Sequence, residues 1–165
     1  MMRRALLLLA LAGCSANDTT LAMSFDRAAF WDAPFPSDDL RRADGTIDLS
    51  RFPNPTNIDF VEQLRALIGR DARGFALAGG VFFRASAAID PASLPDVTRS
   101  IAADAPVFLV GLDAGPDFLR RIPVDVAFTA DAGPFGDRNL LSLLPIQTPT
   151  TSAGASGSFG GARKP

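Results

Sequence analysis

The chain has 165 residues, 47% of them hydrophobic and 21% charged, which is ample for one domain and too short for two of full size. Its 16 Lys and Arg against 18 Asp and Glu leave a formal net charge of -2, so nothing favours a nucleic-acid polyanion and that partner class is excluded. There is no His or Tyr and the single Cys is Cys14, which excludes imidazole bases, His/Cys metal sites and an internal disulfide together.

The amino terminus reads MMRRALLLLALAGC: two arginines, an apolar stretch from Ala5 to Ala12, then small residues. That is the order of a secretory signal peptide. The stretch falls far below the roughly 18 to 20 residues that span a bilayer as a helix, which predicts a segment removed on export. Leu11-Ala12-Gly13-Cys14 resembles the lipobox of bacterial lipoproteins. The resemblance implies cleavage between Gly13 and Cys14, with the Cys14 thiol linked as a thioether to diacylglycerol. Residues 1–13 are therefore read as the signal peptide and 14–24 as a tether, beginning with the polar Ser15, Ala16, Asn17 and Asp18. Loss of Arg3 and Arg4 takes the side-chain balance from -2 to -4, so lipid and not charge would hold the chain to its partner, the bilayer. Two or three acyl chains at about 0.8 kcal/mol per buried methylene amount to stable anchoring. Ser15, standing where an Asp favours inner-membrane retention in enteric bacteria, places the expected localisation in the cell envelope with the outer membrane preferred.

The body is read as residues 25–147. From Phe25 to Pro55 the chain carries Pro34, Pro36, Gly45, Pro53 and Pro55 with Asp38, Asp39, Asp44 and Asp48 among them, which predicts an extended, turn-rich leader. Phe25, Phe30, Trp31, Phe35, Leu40, Ile47, Leu49 and Phe52 give that leader more apolar mass than a solvated linker carries, so it should wrap against the domain. Thr56 to Ile68 is the one predicted helix, with Thr56 as cap, Asp59 three residues on and Gly69 closing it. Ile58, Val61, Leu64, Leu67 and Ile68 recur at helical spacing and predict a face packed into the core.

After Gly74 the pattern turns to short apolar runs: Gly80 to Ala85, Val107 to Asp113, Ile122 to Phe128 and Leu140 to Ile146. Their β-branched and aromatic content predicts strands, with turns at Asp90-Pro91, Gly115-Pro116 and Gly133-Pro134. Val124, Val126 and Phe128 alternate with Asp125, Ala127 and Thr129, the period of a sheet with one wet face. Residues 148–165 are rich in Ser, Thr, Gly and Ala and read as a flexible, disordered tail. The predicted fold class is mainly β: a partial immunoglobulin-like sandwich with one short helix, a proline-rich leader and that tail.

Phe35-Pro36-Ser37-Asp38, Asp44-Gly45-Thr46 with Leu49, and Phe52-Pro53-Asn54-Pro55 together resemble the opening of the bacterial virulence-factor lipase family and of myxobacterial-type surface lipoproteins with the same layout. Val81-Phe82-Phe83-Arg84, Ile89-Asp90-Pro91-Ala92-Ser93-Leu94-Pro95, Val107-Phe108-Leu109-Val110 and Ile122-Pro123-Val124 are similar to the bacterial immunoglobulin-like module found there. In that family the hydrolase is a separate domain with a G-x-S-x-G elbow and a His. This chain has no His, and Gly154-Ala155-Ser156-Gly157-Ser158 lacks the closing Gly, so no catalytic residue carries over. The resemblance implies a non-catalytic, lipid-anchored module without cofactors. Two alternatives stand beside it: the amino-terminal part of a secreted lipase or esterase whose reading frame is shortened here, and an adhesion or substrate-binding module, which an exposed patch at Phe30, Trp31 and Phe35 would favour.

The remaining chemistry is carboxylate chemistry. Asp38, Asp39, Asp44 and Asp48 offer oxygen ligands for Ca²⁺, but Asp in such segments ordinarily satisfies its own turn. Glu62 is the sole Glu and falls on the wet side of the helix. Arg41-Arg42 and Arg120-Arg121 are adjacent pairs whose side chains diverge on extended chain, which reads as solvated edges.

Overall fold

The structure is a computed structural model that describes residues 19–112 and 114–146. Within them the chain is mainly β, with one α-helix, α1 (Asp59–Asp71), and five strands: β1 (Val81–Arg84), β2 (Leu109–Val110), β3 (Arg121–Ile122), β4 (Val124–Asp131) and β5 (Arg138–Pro145). All pairing is antiparallel, in a three-stranded sheet of order β1-β5-β4 and a two-stranded β2-β3 ribbon. This matches a partial β-sandwich; among the described residues the strands stop short of the roughly seven that close an immunoglobulin-like one.

Each of the four apolar runs contributes a strand, with one difference. The run Ile122 to Phe128 is divided at Pro123, leaving Ile122 in β3 and the rest in β4. Proline has no N–H to give a ladder, so the chain changes partners there: Ile122 pairs with Leu109, and Val124 pairs with Pro145. Gly133-Pro134 opens the short 3-10 turn Gly133–Phe135 that joins β4 to β5.

Strand register sorts the sheet into two faces. Val81, Phe83, Leu141, Leu143, Val126 and Phe128 share one, and Phe82, Arg84, Leu140, Ser142, Ala127 and Thr129 share the other. The leader covers the second face. Phe30, Trp31, Leu40, Ile47 and Leu49 form a buried cluster with Leu140, and Phe35, Phe52, Phe75 and Phe82 pack around it. The rings meet edge to face: Phe30 and Trp31 at 4.9 Å, Phe30 and Phe52 at 5.2 Å, Trp31 and Phe82 at 6.0 Å. Indole Nε1 of Trp31 donates to the Phe135 carbonyl at 3.2 Å, fastening the leader to the β4-β5 turn. On the first face, Val124 is 0% exposed and the 3-10 turn Arg99–Ile101 packs against β3 and β4.

The leader also completes the outer edge of β1. Phe35 and Phe82 exchange backbone hydrogen bonds at 3.0 and 2.6 Å, and Ala22 N–H donates to the Arg84 carbonyl at 2.8 Å. Thr20 to Ala22, in the segment read as tether, thus already lie against Arg84 to Ser86.

Helix α1 departs from expectation in its bounds and its orientation. It begins at Asp59 and runs through Gly69 to Asp71. Thr56 does not cap it, and the N-cap position, Ile58, offers no side-chain cap; Asn54 braces the entry to the helix, its carboxamide accepting from Ile58 N–H at 3.0 Å and donating to Glu62 at 2.7 Å. Of the apolar stripe predicted to face the core, Leu67 at 47% is exposed, as are Ile58, Leu64 and Ile68, and Val61 alone is half-buried; Phe60, outside the stripe, is 66% exposed. The half-buried face joins Val61 of that stripe to Arg65 and Gly69, each four residues from the next. Arg65 Nε donates to the Leu49 carbonyl at 2.8 Å and its Nη2 to the Ser50 carbonyl. Gly69 lies beside the Ile47 carbonyl, and its own carbonyl accepts from Arg42 at 3.3 Å. Charged hydrogen bonds to a turn-rich backbone, and not apolar burial, decide how α1 sits.

A pair of substitutions tests this orientation. Ile47→Ala, deep in the leader cluster, should lower the unfolding free energy by about 2–5 kcal/mol. Leu67→Ser on the outward stripe should stay within about 0.5 kcal/mol. Urea midpoints of the two variants measure both, and a Leu67→Ser loss matching that of Ile47→Ala would mean that α1 packs by its apolar stripe.

Candidate functional site

The sequence-predicted site residues, Gly13 and Cys14, lie outside the described residues, as does Gly154 to Ser158. What the described body offers is a seam between leader and helix. A groove of about 400 Å³ runs between α1 and the leader, lined by Arg42, Leu49, Ser50, Glu62, Arg65 and Arg70 among others. A hollow of about 230 Å³ adjoins it, with Arg27, Asp39, Asp48, Ser50 and Arg51 in its wall.

Arg27 is the organising residue of this seam. It is 3% exposed, a burial that a lone guanidinium would not tolerate. Its Nε donates to Asp39 Oδ2 and its Nη2 to Asp39 Oδ1 at 3.1 Å, a two-pronged pair. Nη1 donates to the carbonyls of Phe30 and Ala33, the latter at 3.3 Å, and Nη2 to that of Pro34 at 2.6 Å. The backbone of Arg27 itself is left-handed, at φ 31°. One side chain thus gathers a segment that has few backbone partners of its own, and its guanidinium also lies 5.5 Å from the Phe30 ring centre.

The other arginines of the seam are engaged in the same way. Arg42 donates to the Ile47 and Gly69 carbonyls, each at 3.3 Å, and pairs with Asp48 at 3.1 Å. Arg65 pairs with Glu62 at 2.7 Å, and Arg70 with Asp71 at 2.7 Å. Arg42 therefore stitches leader to helix, where the sequence pattern predicts a solvated edge. Arg121 departs likewise: it lies over the Phe108 ring at 4.0 Å and donates to the Ala102 and Ala103 carbonyls. These cations are occupied by structure, so the groove presents paired charge to any anion.

Three of the four leader aspartates are tied to separate partners. Asp39 holds Arg27; Asp44 accepts from Thr46 N–H at 2.9 Å and from its hydroxyl at 2.6 Å; Asp48 accepts from Ser50 N–H at 2.9 Å. Among the described residues no three carboxylates converge as a cation site would need. Electrostatics agree with these assignments. The hydrogen bond from Arg27 holds the Asp39 carboxyl below the ordinary carboxylate range, the Thr46 hydroxyl does so for Asp44, and backbone donation from Ser50 does so for Asp48. Glu62, on the wet side of α1 as expected, is lowered by the Asn54 amide. Downward shifts mark carboxylates kept ionised by their partners, the opposite of what a proton-donating acid requires.

The aromatic patch weighed for adhesion is closed: Phe30 and Trp31 are buried and Phe35 is half-buried beneath Phe75 and Phe82. Nothing in the local sequence around Arg27 marks it as interior, because its partner Asp39 is twelve residues away and its other acceptors are carbonyls. No family model, no curated protein and no solved structure matches this chain.

Two measurements check the Arg27 clamp. Arg27→Ala should cost about 3–5 kcal/mol, since it strands the Asp39 carboxylate and three carbonyls. Arg27→Lys, which keeps the charge without the fork, should cost about 1–3 kcal/mol in the same urea titration. Because the folded-state pKa of Asp39 lies below its unfolded value, its contribution is present above about pH 4 and is lost as pH falls through the folded pKa. The stability gap between wild type and Asp39→Asn should accordingly be widest near pH 7 and narrow toward pH 2; a gap independent of pH would remove the ion pair from the account.

Proposed function

We propose that this chain is a bacterial envelope lipoprotein, anchored in the bilayer through acylated Cys14, whose β body is a non-catalytic module held at the membrane surface. The observation that carries the reading is the order Arg3-Arg4, apolar Ala5 to Ala12, then Leu11-Ala12-Gly13-Cys14. Only a thiol suits the thioether, and small residues before it suit a peptidase cleft. Support from the body is indirect. No helix among the described residues is long and apolar enough to cross a membrane, so attachment rests on Cys14 in this reading. Leu21, bridged to Ala85, is seven residues past Cys14, a span of at most about 25 Å of extended chain, which keeps the body close to the lipid. Ser15 after the acylated residue favours the outer membrane over the inner. The inward packing of Phe30 and Trp31 speaks against an adhesive role for those rings.

The test is the intact mass of the protein extracted from a membrane fraction with detergent. The expected mass is that of Cys14 to Pro165 plus two or three acyl chains, and Cys14→Ser should release the protein from the membrane once the signal peptide is removed. An unacylated mass, or full membrane binding of Cys14→Ser after removal of the signal peptide, would overturn the anchor. A much larger acylated species would favour the alternative in which this region precedes a hydrolase domain.

A further inference from the structure

The two edges of the main sheet are treated differently. The outer edge of β1 is occupied by the leader, through Phe35 on Phe82 and Ala22 on Arg84. The outer edge of β4 is not. Ile146 N–H donates to the Pro123 carbonyl at 2.9 Å, so Asp125, Ala127 and Thr129, at alternate positions from Pro123, turn their backbone groups toward β5. Val124, Val126 and Phe128 then turn theirs outward. The phase is fixed a second time on β5, where Asn139 accepts from Ala85 on the β1 side. Ser100 Oγ takes the outward Val124 N–H at 3.1 Å, and among the described residues no strand pairs beyond β4. The run Val126 to Ala130 carries no charge, no proline and no bulge to blunt this edge, and Val126 and Phe128 are only half-buried along it.

We infer that β4 is a homodimerisation edge: it pairs antiparallel with β4 of a second copy about a two-fold axis at Ala127, joining two three-stranded sheets into one of six. The occupant is a second copy because the strand complements itself. Pairing about Ala127 sets Val126 opposite Phe128 of the other copy on the apolar face and Asp125 opposite Thr129 on the polar face, while the outward N–H and C=O groups of Val126 and Phe128 exchange four hydrogen bonds. The neighbouring symmetric registers that use the same outward groups are worse. A centre at Phe128 sets Asp125 against Asp131 of the other copy, and a centre at Val126 requires the Val124 N–H that Ser100 already holds. The inference is independent of the lipid anchor.

The test uses the full chain with Cys14→Ser, so that an introduced Cys is the sole thiol. Sedimentation should give a dimer at tens of micromolar. Under mild oxidation Ala127→Cys should cross-link at least tenfold faster than Thr129→Cys, because two Ala127 positions face each other at about 4.5 Å, whereas two Thr129 positions are four residues out of register. Ala127→Lys, which sets like charges face to face on an exposed position, should sediment as a monomer with an unchanged circular dichroism spectrum. A monomeric parent chain, equal cross-linking at the two positions, or a dimer undisturbed by Ala127→Lys would each overturn it.

Discussion

A guanidinium buried among backbone carbonyls is the constraint on which this fold turns. The leader has no strand or α-helix of its own to satisfy its backbone, and it must nevertheless lie flat on a sheet and carry Trp31 and Phe30 inward. Arg27 resolves this by donating to Asp39 and to the carbonyls of Phe30, Ala33 and Pro34. Once those residues are gathered, Phe35 is presented to Phe82 and Asp32 to Arg84, whose pairing at 2.6 Å ties the leader to the sheet. Arg65 and Arg42 extend the same device to α1. The body is thus a small apolar cluster with arginines as rivets at its rim, a design suited to a sheet too narrow to build a deep core.

This construction explains why the seam between leader and helix, though grooved and lined with charge, reads as structural. Each guanidinium there already has carbonyl or carboxylate partners, and each shifted carboxylate is shifted toward ionisation. Freeing Arg42 or Arg65 for a ligand would give up a contact that holds the leader to α1, whereas the exposed Arg70 pairs with its neighbour Asp71.

What could be read from the sequence follows from the range of the interactions involved. The strands were legible because alternation and β-branched runs are local, and all four runs form strands. The leader's wrap was legible because its rings outnumber what a linker carries. Pro123 could have been read as the boundary between β3 and β4, since the missing N–H is visible in the sequence, but the run on either side masks it. The orientation of α1 was not legible: its hydrophobic period points to Ile58, Val61, Leu64, Leu67 and Ile68, whereas its docking is decided by Arg65 against carbonyls brought near only by the fold. Arg27 was invisible for the same reason. The anchor residues Gly13 and Cys14 are a motif read from sequence alone.

The central claim is that the leader and the sheet are one cooperative unit held through Arg27. Native-state hydrogen exchange tests it directly by comparing the amides of Phe35 and Asp48 in the leader, bonded to Phe82 and Leu40, with the Ala85 amide, bonded to Asn139 in the sheet. The account predicts opening free energies for all three that agree within about 1 kcal/mol and fall together in Arg27→Lys. Leader amides that exchange several kcal/mol more easily than Ala85, and are indifferent to Arg27, would contradict it.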